Sequence, residues 1–127
     1  MGTQIFISSN LKILHTYKGI SASLVTAPSK YPSEVRAVGT SPSTLKITWL
    51  PLPPIDHSGP GLYYVVYHQR ADSKGELSRS EVKNATSLYV MAADFYVKYM
   101  IQIQAANDIG FGPKSPVVFG YSGGKSE

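Results

Sequence analysis

The chain has 127 residues, a net charge of +4 and no cysteine. This length fits one domain with some tail, built around one hydrophobic core. The absence of cysteine excludes disulfides, thiolate metal sites and cysteine nucleophiles, and it leaves the redox compartment open. Residues 1–30 hold three of the twelve basic residues and none of the eight acids. The remainder is therefore nearly neutral, which argues against nucleic-acid binding.

The apolar runs of the sequence are short. The longest, at 62–67 and 88–93, fall far below the roughly 20 residues of a membrane helix, so we expect no direct membrane insertion. No secretory signal is visible at the start of the sequence, and we expect any signal or anchor to lie outside it.

From residue 31 onward, short segments of alternating apolar and polar residues are separated by turn residues. This pattern predicts an all-β antiparallel sandwich. Seven strands are expected, at 34–38, 44–49, 62–70, 76–82, 87–91, 98–107 and 117–121. The prolines at 51–54 indicate a loop, because proline cannot donate to a ladder. The more polar strand at 76–82 is expected at a sheet edge.

Alternation also predicts which side chains are buried. The expected core is Leu45, Ile47, Trp49, Tyr63, Val65, Tyr67, Leu88, Val90, Tyr99, Ile101, Ile103, Ala105, Val117 and Phe119. Each such side chain contributes about 1.5–3 kcal/mol when buried, so we expect no cofactor or metal to be needed for stability.

The opposite face of the third and sixth predicted strands is the candidate protein-contact surface. It is predicted to carry Tyr64, Val66, His68, Gln102 and Gln104. The alternative is that aromatic and β-branched side chains pair across strands without binding a partner.

An ordered set of residues spanning 32–121 resembles the fibronectin type III family. It comprises Pro32, Val35, Leu45, Ile47, Trp49, Tyr63, Val65, Tyr67, Tyr99, Ile101, Ile103, Ala105, Asn107, Gly110, Gly112 and Pro113. The resemblance implies a seven-stranded immunoglobulin-like sandwich with Trp49 buried. It also implies a tyrosine corner, in which the Tyr99 hydroxyl bonds to backbone at a bend between strands.

A finer resemblance is to the type III repeats of neural immunoglobulin-superfamily adhesion molecules such as neurofascin and neuroglian. It rests on the segments 27–30, 47–51, 102–107 and 120–123. The family's domains are extracellular modules repeated in tandem beside immunoglobulin domains, which implies a role in adhesion. Lys98 departs from the family pattern, which often has proline before the tyrosine.

Catalytic and metal-binding interpretations find little support. Asp56, His57 and Ser58 are consecutive in a loop, so their side chains cannot converge as a hydrolytic triad. The three histidines, His15, His57 and His68, are too scattered to predict a metal site. The sequence also lacks Arg-Gly-Asp, so an integrin contact through that tripeptide is excluded. We expect no enzyme activity.

Asn84 begins an Asn-Ala-Thr triplet, which is an acceptor for N-glycosylation. The triplet falls between two predicted strands, where a loop would expose it. Such triplets also arise by chance, so Asn84 is a candidate modification site.

Three segments are expected: an N-terminal extension or linker at 1–30, a type III domain at 31–121 and a C-terminal linker at 122–127. The extension has three interpretations: the last strand of a preceding domain at 20–27, a disordered or vector-derived segment, or a strand that pairs with an exposed edge, which a second copy can supply. We expect a flexible extension.

The resemblance implies an extracellular, membrane-anchored protein. Its expected partners are other cell-surface or extracellular proteins, with homophilic contact included, and neighbouring immunoglobulin-like or type III domains. Two alternatives remain: a structural spacer in a tandem array, and a type III domain of an intracellular scaffold or muscle protein.

Overall fold

A computed structural model describes residues 11–15, 22–75, 77–92 and 94–124. In chain order its strands are β1 (Leu11–His15), β2 (Ala22–Thr26), β3 (Arg36–Thr40), β4 (Thr44–Thr48), β5 (Tyr63–Arg70), β6 (Ser78–Val82), β7 (Ser87–Met91), β8 (Lys98–Ala106), β9 (Phe111–Lys114) and β10 (Val118–Tyr121). One 3₁₀ turn, Pro54–Asp56, lies in the proline-rich connection before β5. Among the residues described, no helix is long and apolar enough to cross a membrane.

The strands from β3 onward form two antiparallel sheets. One has the order β3-β4-β7, and the other has the order β10-β8-β5-β6, with β9 also paired to β8. β1 and β2 pair with each other as a separate hairpin. The predicted antiparallel sandwich is confirmed, and the polar strand β6 lies at a sheet edge as predicted. Glu76, the first residue of its predicted span, lies outside the described residues.

The core lies between the two sheets. Leu45 and Ile47 of β4 face Ile101 and Ile103 of β8, and all four side chains are 0% exposed. Trp49, which follows β4, is also buried, at 3% exposed. This burial is the main stabilising contribution to the sandwich, at about 1.5–3 kcal/mol for each large apolar side chain.

The predicted orientation of β5 is wrong. Tyr64 and Val66 point into the core, at 5% and 0% exposed, because they pair with Ala105 and Ile103 of β8. The segment Tyr63–Tyr67 is apolar or aromatic at every position, so alternation within it does not indicate which face is buried. Pairing with β8, whose alternation is clear, decides the orientation.

The predicted orientation of the last strand is wrong for a different reason. Val117 and Phe119 are 38% and 52% exposed, whereas Gly120 is buried. A side chain at Gly120 would collide with Ala37 of β3, at the edge where the two sheets meet. The inward position is a glycine, so the apolar pattern of the sequence favoured the wrong face.

Ser115 separates β9 from β10, a division that the sequence did not predict. It is 2% exposed, and its hydroxyl accepts a hydrogen bond from the Ile103 N–H at 2.8 Å. Its own N–H donates to the Ile103 carbonyl, also at 2.8 Å. The side chain thus replaces a backbone acceptor where the ladder beside β8 is interrupted.

We predict that Ser115→Ala lowers the free energy of unfolding by about 1–3 kcal/mol, because the buried Ile103 N–H loses its acceptor. Urea denaturation measures the loss. The control is Ser73→Ala, in an exposed loop, with an expected change within about 0.5 kcal/mol. Equal losses for the two variants would contradict the role assigned to the Ser115 hydroxyl.

The packed region continues past the predicted boundary at residue 121. Ser122, expected in a C-terminal linker, is 2% exposed. Its hydroxyl accepts a hydrogen bond from the Val97 N–H at 2.8 Å and donates one to the Asp94 carbonyl at 3.0 Å. Ser122 therefore belongs to the domain, where its side chain is hydrogen-bonded to the connection between β7 and β8.

Candidate interaction surface

The five residues predicted as a contact surface do not lie together. Tyr64 and Val66 are in the core, and His68 lies on the same side of β5, opposite Ile101. Burial lowers the pKa of His68, which favours its neutral form. Gln102 and Gln104 lie on the other side of the sheet. The prediction that these five side chains form one surface is therefore wrong.

The amides of Gln102 and Gln104 are engaged in structural contacts. The Gln102 amide donates to the Ser115 carbonyl at 3.0 Å, and the Gln104 amide donates to the Gly112 carbonyl at 2.7 Å. Both bonds hold the β9 segment to β8. The Gln104 side-chain carbonyl also accepts a hydrogen bond from the Tyr67 hydroxyl at 2.8 Å.

Cation–aromatic pairs cover the side of the β10-β8-β5-β6 sheet that faces away from the core, which we call the outer face. Measured from the cation to the ring centroid, the pairs are Lys114 with Tyr67 at 4.2 Å, Lys98 with Phe119 at 4.5 Å, Arg79 with Phe111 at 5.7 Å and Lys83 with Tyr63 at 5.7 Å. Stacking of this kind contributes about 0.5–1 kcal/mol at exposed sites and orders long side chains. The outer face thus presents positioned cations and aromatic rings.

Arg79 and Lys114 cross the outer face from opposite edges of the sheet. Arg79 lies on β6 and pairs with Phe111 on β9, so the two side chains together bridge β5 and β8. Val65 points outward from β5 yet is 0% exposed. In the sheet Val65 lies between Glu81 of β6 and Gln104 of β8.

Arg79 keeps its charge on this surface. Its guanidinium donates to the Glu81 carboxylate at 3.0 Å. Hydrogen bonding to Glu81, and secondly to Tyr67, raises the pKa of Arg79 above its ordinary value. The ion pair is solvent-exposed and adds little stability, so its effect is to position the guanidinium. If the sequence had indicated which face of β5 is buried, Tyr63 and Tyr67 could have been predicted to lie on this surface.

A second cluster joins three chain segments at one end of the sandwich, around Asn107, which is 4% exposed. The Asn107 amide donates to the Thr26 carbonyl at 2.8 Å and to the His57 carbonyl at 2.9 Å. Its side-chain oxygen accepts from the N–H groups of Ile109 and Gly110. All the hydrogen-bonding positions of this amide are thus used.

Residues 25–28 pack against this end of the domain. Val25 and Ala27 are 6% and 8% exposed, and the Thr26 N–H donates to the Ser58 carbonyl at 3.0 Å. A side chain at Gly112 would come within 2.6 Å of the Pro28 carbonyl oxygen, so this close approach requires glycine. This part of the predicted flexible extension is held to the domain, whereas residues 1–10 and 16–21 lie outside those described.

The side chains of the loop 56–58 have separate structural contacts. Asp56 forms an ion pair with Lys30 at 3.2 Å, and a ring nitrogen of His57 bonds with the Leu52 carbonyl at 2.9 Å. The Ser58 hydroxyl lies 3.5 Å from the Asp56 carbonyl. Within the described part of the chain, no three His, Cys, Asp or Glu side chains are grouped so that they could hold a metal ion.

Comparison with known proteins places these features in a family. The profile of the "Fibronectin type III domain" matches residues 30–121. The chain belongs to the fibronectin type III family. Tyr99 is buried, at 8% exposed, and the tyrosine-corner hydrogen bond that the resemblance implies for it stays a prediction.

Relatives of this type III domain are neural adhesion proteins. It is 38% identical to rat "Neuronal cell adhesion molecule" and 38% identical to chicken "Neurofascin", in each case over 96 residues and 76% of the chain. It is 37% identical to mouse "Neural cell adhesion molecule L1" over 107 residues and 82% of the chain. The matched region is 8%, 7% and 8% of these relatives, respectively. The predicted likeness to neural adhesion molecules is confirmed.

Solved structures agree with the fold. The crystal structure of the chicken CNTN1 FN1–FN3 domains superposes with a TM-score of 0.75 at 27% identity, covering 82% of this chain and 37% of that one. The solution structure of an fn3 domain of human contactin 1 gives a TM-score of 0.65 at 25% identity, covering 80% and 83%, respectively. The type III domain described here is thus homologous to domains of neural cell adhesion proteins.

Proposed function

We propose that this domain is a non-catalytic extracellular module of a membrane-anchored adhesion protein and that it contacts other proteins through its outer face. Two of its relatives, "Neuronal cell adhesion molecule" and "Neural cell adhesion molecule L1", are adhesion molecules by name, which supports the adhesion role. The acceptor triplet at Asn84 is consistent with passage through the secretory pathway.

The single observation that favours the outer face is its set of cations held over exposed aromatic rings. Phe111 and Phe119 are 53% and 52% exposed, although each lies beneath a cation. Aromatic residues and arginine are enriched at the energetic centres of protein interfaces, and ordered side chains lose less entropy on binding. A partner surface that carries carboxylates and a shallow apolar pocket would match this chemistry; a second copy of the adhesion protein is the homophilic alternative.

We predict that Phe111→Ser combined with Lys114→Glu weakens partner binding by the intact adhesion protein at least about tenfold, because it removes an exposed ring and reverses a charge. Surface plasmon resonance against the partner, or aggregation of transfected cells for homophilic contact, measures the change. Thermal unfolding of the variant checks that the fold is retained.

The opposite sheet provides a matched control, because Lys46 lies 5.6 Å from the ring centroid of Tyr89 on its exposed face. Tyr89→Ser with Lys46→Glu removes the same chemistry from a surface outside the proposal. We expect it to change affinity less than about twofold. Similar losses for the two double variants, or no loss for either, would rule out the outer face as the contact.

A second candidate function is a spacer that sets distance and angle between neighbouring domains. The observation that favours it is the packing of residues 25–28 against the end of the sandwich, which would restrict the direction from which a preceding domain enters. If spacing is the function, another type III domain put in its place should preserve adhesion. Loss of adhesion with such a replacement supports a specific contact.

Location is tested on the intact protein. Biotinylation of unpermeabilised cells should label the parent protein, and its full sequence should contain a signal peptide, immunoglobulin-like domains and a membrane helix. A parent protein that is protected from labelling and lacks these segments would favour the intracellular scaffold alternative.

A further inference from the structure

A groove of about 730 Å³ lies between the connection that precedes β5 and the connection from β6 to β7. Its lining is mostly apolar and includes Pro51, Pro53, Pro54 and Leu62, with Asn84 and Thr86 from the β6–β7 connection. Its volume is in the range of small-ligand sites. Pro51, Pro53 and Pro54 are exposed, so the apolar walls face solvent.

The polar groups of the groove floor are satisfied internally. The Leu52 N–H donates to the Tyr64 hydroxyl at 2.9 Å, and the Leu52 carbonyl bonds with a ring nitrogen of His57, also at 2.9 Å. Proline contributes no N–H. C–H surface on a ligand therefore matches the proline and leucine side chains of this groove.

Asn84 lies at the rim of this groove and is exposed. Its φ of 60° is left-handed, a conformation that asparagine tolerates well. The backbone N–H of Trp49 donates to the Thr86 carbonyl at 3.2 Å, which fixes the β6–β7 connection to the end of β4. The acceptor triplet is thus held in a constant position beside the apolar walls.

We propose that Asn84 is N-glycosylated and that the first N-acetylglucosamine residues of the glycan pack into the proline groove. This inference rests on the extracellular location proposed above. The C–H faces and acetyl methyl groups of these sugars match the apolar walls. A free sugar would bind weakly to so shallow a site. A covalently attached sugar has a high effective concentration there, and it loses little further translational and rotational entropy when it packs into the groove.

The test uses the 127-residue chain, secreted behind a cleavable signal from cells that make only high-mannose glycans. Intact mass should show one glycan, assigned to Asn84 by peptide mapping. Endoglycosidase H leaves one sugar on the protein, whereas peptide N-glycosidase removes all of them and converts Asn84 to aspartate, which also tolerates the left-handed backbone. We expect the one-sugar form to keep most of the stability and complete removal to lower the melting temperature by roughly 2–5 °C.

Two variants separate groove packing from a general effect of glycans. Thr86→Val removes the acceptor triplet without changing Asn84, whose left-handed backbone would be strained by most replacements. Adding Asp72→Asn and Lys74→Thr to it moves the glycan to the exposed loop between β5 and β6. We expect the moved glycan to give no gain in melting temperature. We also expect nuclear Overhauser contacts from sugar protons to Leu62 and Pro54, and only in the wild type.

An unmodified Asn84 would overturn the proposal. A glycan that gives the same stability from either position, without sugar contacts to Leu62 or Pro54, would overturn the packing into the groove. Because the signal forces the chain through the secretory pathway, these results are independent of where the parent protein resides, which surface biotinylation tests separately.

Discussion

Replacing Tyr64 with alanine is expected to destabilise the domain by about 3–5 kcal/mol, a large part of its stability. Tyr64 is 5% exposed and its ring meets Trp49 edge-on, with centroids 5.5 Å apart. Its hydroxyl accepts a hydrogen bond from the buried Leu52 N–H. The variant loses the ring from the core and leaves that N–H without a partner. Urea denaturation, or failure to fold at 37 °C, measures the effect.

Two further variants make this prediction specific. Tyr64→Phe keeps the ring and removes only the hydroxyl, so we expect a loss of about 1–3 kcal/mol. Tyr63→Ala changes the adjacent tyrosine, which lies on the outer face beneath Lys83, and should cost about 1 kcal/mol. A greater loss for Tyr63→Ala than for Tyr64→Ala would mean that β5 has the orientation predicted from sequence and that the structure has it reversed.

The contrast between β4 and β5 explains how much of the fold could be predicted from sequence. In β4 the residues Leu45 and Ile47 alternate with polar ones, so both the strand and its buried face could be predicted. In β5 the strand could be located, but its buried face depends on pairing with β8. The partner of Tyr64 in that pairing is Ala105, 41 residues further along the chain, so no local pattern includes both.

The candidate interaction surface was harder to predict for the same reason. Once Tyr64 and Val66 are assigned to the core, the outward side chains of β5 are Tyr63, Val65 and Tyr67. The cations that stack on this face come from β6, β8, β9 and the β6–β7 connection. Proximity of this kind depends on strand order, which the sequence pattern did not provide. The acceptor triplet at Asn84, by contrast, is local and could be found from sequence alone.

Asn107→Ala is expected to lower the free energy of unfolding by about 2–4 kcal/mol, since it removes four hydrogen bonds at a site that is 4% exposed. Among the residues that the structure describes, Asn107 is the one whose side chain bonds to Thr26, to His57 and to the turn at Ile109. We therefore expect a local effect as well: faster amide exchange at Thr26, whose N–H bonds to Ser58, with Ile101 in the core still protected at mild denaturant concentrations.

Asn107→Asp separates the hydrogen bonds that the Asn107 side chain donates from those that it accepts. The carboxylate can still accept from the Ile109 and Gly110 N–H groups, but it cannot donate to the carbonyls of Thr26 and His57 and places negative charge beside them. We expect exchange at Thr26 to be at least as fast as in Asn107→Ala, while the turn at Ile109 stays protected. Unchanged exchange at Thr26 in both variants would show that Asn107 does not hold the entering segment. The burial of Val25 and Ala27 and the Thr26–Ser58 hydrogen bond would then be the contacts that hold the segment against the domain.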